Sequence, residues 1–142
     1  MALVETALED AIGTLTLAHD ERRNALGRAL IDDLLAGLAG FEKARVRAVV
    51  LRAHPGARVF SAGHDITELP RGGGDPLAYD DPLERLLRAV KRFPAPVIVM
   101  LHGSVWGGAC DLVLSCDLVV GDPTCSFAIT PANLGLPYNA TG

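Results

Sequence analysis

Apolar residues recur along this chain with two different periods. Ile12-Gly-Thr-Leu-Thr-Leu17 alternates apolar with small or polar residues and predicts a strand, paired with Leu3–Ala7. Leu30, Ile31, Leu34, Leu35, Leu38 and Phe41 then recur at helical spacing and predict an amphipathic helix running to about Lys43. Gly37 and Gly40 weaken that helix by propensity. Val46–Ala53 is almost continuously apolar, as expected of a strand covered on both faces. Leu83, Leu86, Leu87, Val90 and Phe93 predict a second amphipathic helix, which Pro94-Ala-Pro96 stops. Val97–Leu101 reads as a buried strand, followed by a Gly-rich turn and a short apolar helix from about Gly107 to Ser115. Asp117–Gly121 and Ser126–Ile129 read as further strands. Strands alternating with helices argue for an α/β fold, and no internal repeat is visible by eye.

Composition narrows the class without naming a function. The 142 residues suit one ordinary domain, and 49% hydrophobic with 21% charged residues is a globular balance. A formal net charge of −4 argues against a nucleic-acid partner. Early acids and no basic segment at the N-terminus argue against a secretory signal, and no apolar run approaches a membrane span. A cytoplasmic location is therefore expected. Cys110, Cys116 and Cys125 are odd in number and form no C-x-x-C pair, so buried thiols are expected rather than a disulfide or metal framework. His19, His54 and His102 are scattered without a second ligand at metal spacing, so no metal is expected. His102, after an apolar strand, reads as a hydrogen-bonded core residue, and Trp106 as a side chain packed on the core.

The chemistry gathers in His102–Asp117. A strand that feeds a Gly-rich turn opening a helix aims backbone N–H groups forward, and glycine lets a ligand approach them. Gly107 and Gly108 are thus candidates to hold an anionic or polarised oxygen, or they serve only a tight turn. They form neither G-x-G-x-x-G nor a Gly-Lys-Ser/Thr phosphate loop. A second loop of similar character lies upstream, Phe60-Ser-Ala-Gly-His-Asp-Ile66.

Together, Ser61-Ala-Gly-His-Asp-Ile66 and Gly103-Ser-Val-Trp-Gly-Gly-Ala-Cys-Asp111 resemble the two signature loops of the crotonase (enoyl-CoA hydratase/isomerase) superfamily. The resemblance runs from Asn24 to Gly142. Through Asp75–Leu83 and Asn133-Leu-Gly-Leu-Pro-Tyr-Asn139 it is nearest the branch that decarboxylates methylmalonyl-CoA. It implies a spiral of strand-strand-helix turns, with residues 1–142 forming an incomplete core that stops before the family's C-terminal helices. Full-length relatives are expected to be homotrimers or hexamers.

The resemblance also implies roles. An acyl-CoA is the substrate, coenzyme A is part of that substrate, and no separate cofactor is expected. The two oxyanion donors map onto the backbone N–H groups of His64 and Gly108. The His64 imidazole is either a substrate contact or an ordinary loop side chain. Ala62, Gly63, Asp65 and Ile66 match the loop that cradles the CoA moiety, and Thr130 matches a substrate contact. Asn24, Ala25 and the neighbouring arginines lie in a loop that follows the CoA nucleotide in the family; solvated charge is the alternative for each arginine. Hydratases of the family use two carboxylates. The first maps onto Asp111, one methylene shorter than the usual Glu, and the second onto Pro131, which has no proton to move. Asp111 is otherwise a helix-start charge. Tyr138 matches the tyrosine of the decarboxylase branch, placed to hydrogen-bond the leaving carboxylate or packed at the pocket mouth. The expected activity is conversion of methylmalonyl-CoA to propionyl-CoA. The alternatives are an enoyl-CoA hydratase or isomerase, and an inactive CoA-binding fragment.

Overall fold

In a computed structural model, the described residues are 2–68 and 78–130. The chain starts with an antiparallel hairpin, β1 (Val4–Glu9) and β2 (Ile12–Leu17), in the register Val4↔Leu17 to Glu9↔Ile12. Helix α1 (Arg28–Lys43) then crosses to β3 (Ala48–Ala53), which pairs parallel with β2. Its apolar stripe is the predicted one: Leu30, Ile31, Leu34, Leu38 and Phe41 are buried. The strand read from Val46 starts two residues later. Val46 is buried, but its N–H reaches back to the Phe41 carbonyl, and Arg45 before it sits at φ +55°. The helix exit consumes those residues.

From β3 onward the chain repeats a pattern that the resemblance implies and that the residues do not show by eye. Strand β3 leads to the three-residue strand β4 (Val59–Ser61) and, further on, to helix α2 (Pro82–Arg92). Strand β5 (Val97–Leu101) leads to β6 (Ser104–Trp106) and helix α3 (Gly108–Ser115), and β7 (Leu118–Gly121) leads to β8 (Ser126–Ala128). The first strand of each turn joins a five-stranded sheet of order β1-β2-β3-β5-β7, and the second joins a three-stranded sheet of order β4-β6-β8. All pairings except β1–β2 are parallel. This is the expected α/β spiral of strand-strand-helix turns.

The core lies between the larger sheet and the helices. Val49, Leu51, Val97 and Val99 of the large sheet, Phe60 and Val105 of the small sheet, and the buried residues of α1, α2 and α3 form one cluster. Burying each such side chain contributes roughly 1.5–3 kcal/mol relative to leaving it in water. Helix α2 starts cleanly: Asp81 accepts from the Leu83 and Glu84 N–H groups, Pro82 follows it, and Lys91 and Arg92 lie in the last turn. All four residues of β7 are exposed, as are Leu114, Phe127 and Ile129. No helix among the described residues is long and apolar enough to cross a membrane.

Candidate active site

The repeat brings the two Gly-containing loops side by side. The pairs Val59↔Ser104 and Ser61↔Val105 join β4 to β6. The register shifts by one residue between these two pairs, and counted on from Ser61↔Val105 it sets Gly63 opposite Gly107 and His64 opposite Gly108. The β6–β8 register, Trp106↔Ala128, continues to set Thr130 opposite Gly108 in turn. Counted this way, three of the predicted site residues fall in one row across consecutive turns.

The loops touch closely. Gly63 has φ +83°, and a methyl group on it would lie 2.3 Å from the Trp106 carbonyl oxygen and 3.2 Å from the Gly108 nitrogen. Only glycine fits there. A methyl on Gly108 would lie 3.7 Å from the His64 nitrogen and 2.7 Å from Leu83 Cδ2.

Both backbone N–H groups are left over when the local hydrogen bonds are accounted for. The Gly63 carbonyl accepts from Leu26 N–H at 2.7 Å, and the Asp65 N–H donates to the Leu26 carbonyl at 3.4 Å. The Gly107 N–H donates to the Ala128 carbonyl at 2.8 Å, and the Gly107 carbonyl accepts from Cys110 N–H at 2.9 Å. His64 N–H and Gly108 N–H have no acceptor among the described residues. Gly108 opens α3, where a helix leaves its first N–H groups unpaired by geometry. Two adjoining unpaired N–H groups can bind one oxygen that carries developing negative charge.

Side chains around the pair are committed elsewhere. The half-buried His64 imidazole has Nδ1 3.3 Å from the Asp65 carbonyl and Nε2 3.7 Å from Asp81 Oδ1. Asp65 Oδ1 accepts from the Thr67 hydroxyl at 2.6 Å and its N–H at 3.0 Å, and Arg22 lies 3.4 Å from the other oxygen. These bonds, the Thr67 hydroxyl first, hold the Asp65 carboxyl below the usual carboxylate range. Glu68 accepts from the Arg28 N–H at 2.8 Å, which caps α1 from outside the helix. A cleft of about 250 Å³ opens here, lined by Leu26, Arg28, Ile31, His64, Glu68, Ala78, Asp80, Asp81 and Pro82.

Other predicted residues fall apart from this pair or into supporting roles. Asp111 is half-buried in the first turn of α3. Burial pushes its carboxyl pKa up, the Glu84 charge adds to this, and Lys91 opposes it. Ile66 is exposed, and Ala62 donates its N–H to the Arg23 carbonyl at 2.8 Å. The Asn24 side chain is fully buried and bonded within its own loop and to β4, so it offers nothing outward to a nucleotide. Trp106, read as core, is 42% exposed: it alternates with the buried Val105, and its indole N–H donates to the Ser104 hydroxyl. His102 is half-buried and hydrogen-bonds the His54 carbonyl at 3.1 Å. All three cysteines are free thiols; Cys110 is buried and the other two half-buried. Among the described residues no three His, Cys, Asp or Glu side chains gather as metal ligands. Pro131 and Tyr138 lie outside the described residues.

Sequence reasoning missed Leu26, Ala128 and Leu83, which aim or crowd the two donors. They carry no signal of their own, because two act through backbone atoms and one through a bare methyl.

A model of the enoyl-CoA hydratase/isomerase family matches residues 7–142 of this chain. Over 131 residues the chain is 47% identical to the methylmalonyl-CoA decarboxylase of Escherichia coli (strain K12), covering 92% of this chain and 50% of that protein. A solved structure of methylmalonyl-CoA decarboxylase in complex with 2-nitronate-propionyl-CoA matches with a TM-score of 0.95 at 44% identity, covering 98% of this chain and 54% of that one. An enoyl-CoA hydratase subunit from Geobacillus kaustophilus matches with a TM-score of 0.82 at 30% identity, covering 97% of this chain and 53% of that one. The chain spans about half the length of these relatives.

Proposed function

The chain belongs to the enoyl-CoA hydratase/isomerase family, and from that premise we propose that it decarboxylates methylmalonyl-CoA to propionyl-CoA. The carrying observation is the pair of unpaired N–H groups of His64 and Gly108, set in one row by the register of β4 and β6. The 47% identity to a methylmalonyl-CoA decarboxylase supports this choice of reaction within the family.

The chemistry follows from where charge develops. The bond between the α-carbon and the carboxylate breaks, carbon dioxide leaves, and the electron pair moves through the α-carbon onto the thioester oxygen. The enolate oxygen is held by the His64 and Gly108 N–H groups, each worth about 2.7–4 kcal/mol by analogy with other oxyanion holes. A proton from solvent water then adds to the α-carbon, giving propionyl-CoA and hydroxide, which the carbon dioxide takes up as bicarbonate. Ala62, Gly63, Asp65 and Ile66 line the CoA side of the substrate, and Thr130 lies beside its acyl group. The resemblance, which matches Tyr138 to the tyrosine of the decarboxylase branch, gives its hydroxyl the leaving carboxylate as partner. No cofactor beyond the CoA carried by the substrate enters this sequence.

Hydration is the second reading, favoured by the likeness to an enoyl-CoA hydratase structure. It needs two carboxylates, and this sequence offers Asp111 and then Pro131 at the corresponding positions. Burial raises the Asp111 pKa, but a lone carboxylate does not both activate water and protonate carbon in the family manner.

Product identification by mass after incubation with methylmalonyl-CoA and, separately, crotonyl-CoA tests both readings. Propionyl-CoA in the first reaction is the expected result. A hydrated product in the second overturns the account of Pro131. Silence in both, from a chain that circular dichroism shows to be folded, favours an inactive fragment.

A further inference from the structure

We propose that Ser61 and Asn24 are positioning residues that aim the His64 N–H, an inference that rests on the reading of that group as an oxyanion donor. A trans peptide is planar, so its C=O and N–H point in opposite directions. The Gly63 carbonyl accepts from Leu26 N–H at 2.7 Å, so the His64 N–H of the same peptide points away from Leu26. Whatever fixes Leu26 against Gly63 therefore fixes the direction of the donor.

Two fully buried polar side chains do this. Asn24 sits at φ +50° directly after Arg23 at φ +52°, a left-handed pair that turns the 19–26 strap back on itself. Its carboxamide oxygen accepts from His19 N–H at 2.8 Å, and its NH2 group donates to the Phe60 carbonyl at 3.1 Å. The strap is thereby clamped to β4. The Ser61 hydroxyl donates to the Asn24 carbonyl at 2.7 Å and accepts from Gly63 N–H at 3.1 Å. One oxygen thus ties the strap to the peptide adjoining the donor. Asn24 and Ser61 have no exposed surface at all. Removing the Ser61 hydroxyl leaves a buried carbonyl and a buried N–H unpaired. The Gly63–His64 peptide then tilts, and a hydrogen bond weakens steeply as it bends.

The test compares two probes on the whole chain: propionyl-CoA, a neutral thioester, and its 2-nitronate analogue, which carries negative charge in place of the enolate. In the unaltered chain the nitronate binds more tightly. In Ser61→Ala the nitronate loses roughly tenfold or more in affinity, the order expected for a misaimed oxyanion donor, while propionyl-CoA stays within about twofold. In a 15N-histidine-labelled sample, the His64 amide proton moves downfield on adding nitronate, and moves less in the variant. A folded Ser61→Ala that keeps the full preference overturns the positioning role alone. An unaltered chain that binds both probes equally overturns the oxyanion reading and this inference with it. Should Ser61→Ala not fold, Ser61→Cys, nearly isosteric with a weaker donor, is measured instead, and the same ratio decides.

Discussion

The loop after β4 and the loop after β6 deliver the same group, a backbone N–H, but they are built differently. Side chains hold the first: Asn24 and Ser61 from within, Asp65 through Thr67, and Glu68 by capping α1. The second relies on backbone and on empty space. Gly107 bonds the Ala128 carbonyl, α3 starts without a side-chain cap, and Gly108 leaves room beside Leu83. The first loop is a braced structure, and the second is the free start of a helix pressed against it. Damage to the first should therefore act through its partners, and damage to the second through crowding.

Gly63 is where the comparison breaks most completely, because both loops meet there. Gly63→Ala puts a methyl against the Trp106 carbonyl at positive φ. The expected cost is ~3 kcal/mol or more, read from the urea midpoint. A Gly63→Ala variant within ~1 kcal/mol of the parent would show that the loops are not pressed together. Gly108→Ala isolates the second loop. Its clash is with the flexible end of Leu83, so stability should fall by only about 1 kcal/mol. Turnover should fall about 100-fold with KM nearly unchanged, since the methyl intrudes where the enolate oxygen is proposed to bind.

The smallest effects come from one carboxylate in each half of the site, and they carry opposite signs. Asp65 has its pKa lowered, so its ionised form stabilises the fold above the usual carboxylate pKa. That contribution is lost as pH falls through the lowered value. Asp65→Asn should reduce the melting temperature at pH 7, and the difference should shrink in acid. Asp111 has its pKa raised, so its folded-state penalty is absent at low pH and sets in as pH rises through the raised value. Asp111→Asn should raise the melting temperature at pH 7 and match the parent below pH ~4. Melting curves at a series of pH values check both signs in one experiment.

The long periodic elements were legible in the sequence. The stripe from Leu30 to Phe41 is buried as the spacing predicts, and the short apolar helix starts at Gly108, one residue after its predicted start. The small sheet was not legible, because three residues cannot display a period. By sequence Phe60 and Ser61 belong to a loop and Ser104–Trp106 to a Gly-rich turn, where the structure has strands. Trp106 was misread for the same reason: without the strand there was no alternation to turn it outward. Within the site, the family resemblance located His64 and Gly108, which the fold brings together. The hydrogen bonds that leave their N–H groups unpaired run to Leu26 and to Ala128. Those partners are backbone atoms far along the chain, and no residue type announces them.

The three-stranded sheet also acts as a ruler. Neighbouring strands lie about 4.8 Å apart, and so do residues in matched rows. A carbonyl oxygen that takes two hydrogen bonds of about 2.9 Å along its two lone-pair directions needs donors about 5 Å apart. The pairs Ser61↔Val105 and Trp106↔Ala128 carry that interval from β4 to β6 to β8, towards the loops that hold His64, Gly108 and Thr130. The gauge of a β-sheet thus coincides with the grip that an enolate requires. A spiral that winds one turn beside another arrives at that grip through its pitch, before any side chain is chosen.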